Sequence, residues 1–227
     1  MTKQMFLASA VALAVSSAAS AAIVAGWTMT TAVPAATTGT SYTYGSADTG
    51  DATAGTSLSG FHALAATTWS SPSGNGSQYS LSSNNWSVGD YYQIAVSTVG
   101  YSDIYLAWDQ TRSSTGPSNF DVQMSTDGTN FSSILAGYSV IQAGLAGTGT
   151  LAWSIANGVQ SAFTTTVASI AGADNQATLY FRFVNNSTVA AGGTNRIDNI
   201  MVSSGPIPAP GAIALLGLAG LASRRRR

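Results

Sequence analysis

The chain has 227 residues, no cysteine, one histidine and a formal net charge of −1, with 7% charged side chains against 45% hydrophobic ones. Without cysteine no disulfide can staple the fold, so the core alone must hold it. Five tryptophans, nine tyrosines and seven phenylalanines provide that core and exclude disorder for most of a chain otherwise rich in small polar residues.

The first segment reads as a secretory signal peptide, residues 1–21. Lys3 gives it a basic start, residues 5–15 are apolar, and Ala19-Ser20-Ala21 is a small-residue cleavage pattern. Cleavage is expected after Ala21 or Ala22, with an uncleaved anchor as the alternative. Residues 22–205 then form one domain, long enough for a sizeable core.

Within that domain the pattern is β throughout. Strands are expected at 23–29, once or twice within 58–69, and at 91–97. In 103–109, Ile104, Leu106 and Trp108 share one face; in 120–125, Phe120, Val122 and Met124 point inward. Thr126-Asp127-Gly128-Thr129-Asn130 turns the chain, Asp-Gly being a strong hairpin signal. Later strands are expected at 151–155, 163–170, 178–184 and 196–202, and residues 135–145 are read as holding one helical turn. In 178–184, Leu179, Phe181 and Phe183 line one face. Nine or ten strands without crossover helices give the fold class: all-β, an antiparallel β-sandwich.

The final segment, 206–227, has three parts. A proline-rich break contains Pro208, Ala209 and Pro210; an apolar run spans 212–222; and Arg224, Arg225, Arg226 and Arg227 close the chain. The run satisfies its backbone in lipid as a helix. It is shorter than the about 20 residues of a full span, so it crosses only with snorkelling arginines or a thinned bilayer. The arginines stay cytoplasmic. A buried C-terminal helix with a basic tail is the alternative. The three-part tail resembles the PEP-CTERM sorting signal of Gram-negative bacteria, with alanine at Ala209 where the family pattern has glutamate. The resemblance implies an exosortase-type membrane protease as partner, transient insertion in the inner membrane, and delivery to the cell surface or extracellular matrix.

Setting the two terminal segments aside leaves Arg112, Arg182 and Arg196 against nine acidic residues, all aspartate, a net charge of about −6. Such a surface excludes nucleic acid as a partner and disfavours anionic lipid. A second resemblance lies in Trp108 to Pro117, the stretch 120–131 and Arg196-Ile197-Asp198-Asn199-Ile200. It is similar to jelly-roll domains of exported bacterial proteins, and more loosely to galactose-binding-like and discoidin-like sandwiches. It implies a jelly-roll-like body.

No catalytic residue is assigned. A triad would have to use His62, which lies in an apolar segment without a nucleophile elbow and is read as structural. Asp103 and Asp109 bracket one strand roughly 20 Å apart, too far for a glycosidase pair, although pairs across strands stay open. No cofactor is expected beyond a structural calcium, which the jelly-roll resemblance implies. Asp198 is its weak candidate ligand, against a salt bridge or turn bond with Arg112 or Arg196. Trp69, Trp86, Trp108 and Tyr101 are the aromatic side chains from which a stacking platform for sugars could be built. Trp108 belongs to the core by its alternation, which leaves Trp86, in the polar stretch 83–87, as the candidate ligand contact. The function expected is a non-enzymatic exported surface or matrix protein. Its alternatives are a carbohydrate-binding module acting on exopolysaccharide and a secreted hydrolase with an unrecognised site.

Overall fold

A computed structural model describes residues 21–144, 151–188 and 192–206. The signal peptide and the sorting signal, Ala21 and Pro206 apart, lie outside the described residues. Twelve strands follow one another: β1 (Ala22–Trp27), β2 (Ser41–Gly45), β3 (Ser57–Phe61), β4 (Trp69–Ser70), β5 (Leu81–Ser83), β6 (Tyr91–Val96), β7 (Ile104–Arg112), β8 (Asn119–Ser125), β9 (Ser132–Ser139), β10 (Thr164–Val167), β11 (Leu179–Asn185) and β12 (Asn195–Ser204). The only helices among the described residues are two single 3-10 turns, Ile155–Asn157 and Ser161–Phe163.

The strands make two six-stranded sheets, antiparallel in every strand pairing. The first runs β10-β7-β12-β5-β4, with β1 also on β12; the second runs β2-β3-β6-β11-β8-β9. On one edge of β12, residues Asn195 to Ile197 pair with β5, and Ile200 to Ser204 pair with β1. The register of β12 against β7 shifts between Asp198 and Met201, where Asn199 takes a positive φ of 46°. This bulge lies where the partner strand changes.

Alternation packs the two sheets face to face. Ile104, Leu106 and Trp108 of β7 are fully buried, as are Leu179, Phe181 and Phe183 of β11 and Phe120 and Val122 of β8; Met124 is partly buried against them. The Trp108 and Phe183 rings meet across the interior at 4.9 Å. Fully burying each such side chain contributes about 1.5–3 kcal/mol. Gly60 of β3 faces inward, and a side chain there would collide with the Trp69 ring, so glycine allows that tryptophan to lie flat under the second sheet.

Four segments differ from the sequence expectation. The described part of 135–145, residues 135–144, contains no helical turn; Ser132–Ser139 is the edge strand β9, whose alternation is broken by register shifts opposite Phe120, Val122 and Gln123. Residues 151–155 form no strand. There Trp153 packs edge-on against Phe163 at 5.2 Å and donates its indole N–H to the carbonyl of Ser73 at 2.8 Å, so the segment is held by side-chain contacts. Strands β2 and β5 form where the sequence predicts none. Ser41-Tyr42-Thr43-Tyr44-Gly45 and Leu81-Ser82-Ser83 carry too few apolar residues to signal strands, yet all of β5 is buried.

Candidate functional site

Trp86 is not a surface contact. It is 4% exposed, its ring lies 4.3 Å from His62, 5.0 Å from Tyr92 and 5.5 Å from Phe120, and its indole donates to the Ser83 carbonyl at 3.0 Å. Asn85, with φ at 54°, reverses the chain just before it, so a polar stretch delivers its one large side chain to the core. Trp69 and Trp108 are buried as well, and Tyr101 is partly buried against the core. The tryptophans therefore build no platform.

His62 is structural, and its surroundings are unusual. Its Nδ1 lies 3.1 Å from Asp90 Oδ2, and its Nε2 lies 3.1 Å from Ser83 Oγ. The connectivity is that of a Ser-His-Asp triad, but the geometry offers no reaction. His62, Ser83 and Asp90 are at most 1% exposed, the imidazole is wedged between Trp69 and Trp86, and Ser83 Oγ also shares a hydrogen bond with Tyr92 Oη at 3.2 Å. Nothing outside can reach the hydroxyl. The His62–Asp90 contact is the only one within 4 Å between a carboxylate and an arginine or histidine nitrogen among the described residues.

Asp198 pairs with neither Arg112 nor Arg196. The β7–β12 register sets Arg112 opposite Asn195, three rungs away, and the Arg112 guanidinium donates instead to the carbonyls of Val140, Ser113 and Ser114. The residue opposite Asp198 is Asp109. Both carboxylates are buried and surrounded by donors. Asp198 accepts from the backbone N–H of Asn75 (2.7 Å) and Asn199 (2.8 Å) and from Ser77 Oγ (2.5 Å). Asp109 accepts from the side-chain amides of Asn75 (2.8 Å) and Asn199 (2.7 Å) and from Thr164 Oγ1 (2.6 Å). Gly74 lets the Asn75 loop lie over Asp198, since a Cβ there would strike both Ser77 and the carboxylate.

Burial pushes the Asp198 carboxyl up to about 7, its hydrogen bonds pull the other way, and the Asp109 charge adds to the rise. Burial also raises Asp109, against its three hydrogen bonds. Six N–H and O–H donors satisfy the two carboxyls, and burial is what favours a proton on Asp198. The donors do not suit calcium, which needs converging oxygen lone pairs. Among the described residues no group of three or more acidic or histidine side chains gathers anywhere. The weak expectation of a metal at Asp198 thus finds no fitting ligand set.

The exposed aromatic surface lies on the outer face of the second sheet. One row there runs Ser41–Phe61–Tyr91–Val184–Asp121 across β2, β3, β6, β11 and β8; the next runs Thr43–Ser59–Gln93–Arg182–Gln123–Ser133. Phe61, 43% exposed, is the only aromatic among the exposed large hydrophobic residues described. Its ring stacks on Tyr91 at 5.5 Å, inclined by 26°. The Arg182 guanidinium lies 4.2 Å from the centre of the Tyr91 ring and 3.6 Å from that of Phe131, and its Nε donates to Gln93 Oε1 at 2.7 Å. Sequence reasoning missed this set because its members sit on four elements and become neighbours only through strand register. The signal available was parity: in 178–184, Arg182 takes the face opposite Phe181 and Phe183.

No protein-family model and no curated protein matches the chain. Among solved structures, the K3 cleaved adhesin domain of Lys-gingipain from Porphyromonas gingivalis W83 is 14% identical, with 82% of this chain and 99% of that one covered and a TM-score of 0.44. A family 35 carbohydrate-binding module from Clostridium thermocellum is 14% identical, covering 60% of this chain and 86% of the module, at 0.37. The N-terminal CBM22-1–GH10 modules of the endo-1,4-β-D-xylanase 10B of Clostridium thermocellum, complexed with xylohexaose, are 13% identical at 0.40. That match covers 63% of this chain and only a quarter of the xylanase chain. At such scores none of these likenesses bears on what the present chain binds.

Proposed function

We propose that the chain is an exported, non-enzymatic β-sandwich that binds polysaccharide on the outer face of its second sheet. The observation that carries this reading is the solvent-facing Phe61–Tyr91 stack bordered by a row of serine, threonine and glutamine side chains. Sugar rings present apolar C–H faces that pack on aromatic rings, and their hydroxyls bond to short polar and amide side chains. Gln123 and Ser59 make no side-chain hydrogen bond to other described residues, so both are available to a ligand. An open sheet face suits an extended glycan chain better than a small molecule in a pocket.

Phe61→Ala and Tyr91→Ala are each expected to weaken binding at least tenfold, about 1.4 kcal/mol, in affinity electrophoresis of the full chain against a polysaccharide panel. Val99→Ala, a change at an exposed apolar residue beyond the other end of β6, is the control and should change nothing. Equal binding by all three variants, or no binding by the parent chain, would sink the reading.

Where the domain acts follows from its terminal segments. The reading extends to export through residues 1–21 and to handling of the tail, Pro208 to Arg227, by an exosortase-type protease, which would place the sugar-binding face in the extracellular polysaccharide. Deleting residues 206–227 should release the domain without a membrane-bound precursor. Identical fractionation of full-length and truncated chains, with no loss of C-terminal mass, would refute the sorting step.

A further inference from the structure

Resting on the polysaccharide reading, we infer that the outer face of the second sheet selects an acidic polysaccharide, with Arg182 taking the carboxylate of a uronic acid residue. The domain has three arginines and no lysine between residues 22 and 205. Arg112 spends its guanidinium on three backbone carbonyls. Arg182 is used differently. It stands on the outer face of the second sheet, and, as for Arg112 and Arg196, no carboxylate among the described residues lies within 4 Å of it. The rings of Tyr91 and Phe131 flank the guanidinium, while Gln93 holds Nε. These contacts fix the plane of the group and cover its faces, which leaves the Nη edge for a ligand. An in-plane approach to that edge is the geometry in which a carboxylate accepts two parallel N–H bonds, and holding the fork in place beforehand lowers the entropy lost on binding.

The sugar stack is adjacent. A pyranose seated on Phe61 lies beside Tyr91, and an equatorial carboxylate on that ring projects toward the guanidinium that Tyr91 supports. Charge also bears on the choice. The domain carries about −6 overall, which opposes a polyanion, but exposed charges more than about 8 Å apart are largely screened at physiological salt. The nearest acidic residue in the two rows is Asp121, one row and one strand from Arg182, and it is engaged by the Gly137 N–H at 2.7 Å. A neutral glycan would leave the ring-flanked cation without an anion. A uronate supplies one.

The test compares polygalacturonate with its methyl ester, which keeps the sugar backbone and masks the charge. The full chain is expected to bind polygalacturonate at least tenfold more tightly than the ester, and the difference should shrink as salt rises. Arg182→Gln should bring both polymers to the level of the ester. Arg182→Lys, which keeps the charge and the stem but not the planar fork, should lose most of the preference while melting at the parent temperature. Phe61→Ala should weaken both polymers alike. Equal affinity of the parent for the two polymers, or binding of neutral polymers only, overturns the acidic selection and leaves the sugar-binding reading standing. Retention of the preference in both Arg182 variants overturns the role of Arg182. If no polymer binds, acidic or neutral, both readings fall.

Discussion

Removing the Asp90 carboxylate is expected to cost about 3–5 kcal/mol of folding stability, a large share of the roughly 5–15 kcal/mol that holds a domain together. Asp90 does more than pair with His62. Its Oδ1 accepts the backbone N–H of Ala63 at 2.8 Å and its Oδ2 that of Ser87 at 2.6 Å. One carboxylate thus ties the chain leaving β3 to the chain entering β6, and closes the site between them with the imidazole. Asp90→Ala leaves two backbone donors and the histidine without their acceptor inside the protein, each orphan costing about 1–3 kcal/mol. His62→Ala does the converse: it takes one partner from the buried carboxylate, leaving the two backbone donors, and opens a cavity between Trp69 and Trp86. Because both changes break one network, the double substitution should cost well under the sum of the two. Urea unfolding of the three variants reads this directly. Additive losses, or a loss below about 1 kcal/mol for Asp90→Ala, would show that the buried pair does not hold these loops.

How far the sequence could be read depended on how much each segment relied on itself. The strands β7, β8 and β11 carry alternation dense enough to declare both strand and inward face, and Trp108, Phe120 and Phe181 point where that alternation puts them; β6 and β12 are legible as strands. Short or polar strands are different. β5 is buried because β4 and β12 flank it, and its three residues carry no pattern of their own. Trp86 defies its segment for a related reason: its neighbours are polar, but a local reversal at Asn85 turns one ring against their trend. The site was least legible of all. Asp109 and Asp198 are 89 positions apart and share a rung only through the β7–β12 register; Phe61, Tyr91 and Arg182 meet only through β3–β6–β11 pairing. The sequence leaves an acidic pair across strands open, and register is what closes it.

That acidic pair gives the second large effect, a loss of stability as the pH rises. An aspartate ordinarily titrates near 3.8, and burial holds Asp198 at about 7 in the folded chain. A group raised on folding contributes stability that is complete below its unfolded value and is lost as pH climbs through its folded value. The contribution of the proton is therefore intact near pH 4 and disappears through about pH 7. A rise of that size corresponds to a loss on the order of 4 kcal/mol. Deprotonation would set two negative charges on one rung, Asp198 against Asp109, beneath the Asn75 loop that both carboxyls hold. Asp127 acts with the opposite sign, since hydrogen bonds from Asn130 and Thr129 lower it, but its contribution is lost only as pH falls below the ordinary carboxylate range. A comparison of pH 5 with pH 8 isolates the buried pair. The urea midpoint is expected to be higher at pH 5. Asp198→Asn should flatten the dependence, at the expense of the acidic-side maximum, because an amide cannot accept at both of its ends from Asn75, Ser77 and Asn199. Calcium and chelator should leave both curves in place. A midpoint that rises toward pH 8, or an Asp198→Asn profile parallel to that of the parent, would mean that burial does not hold Asp198 protonated in the folded chain.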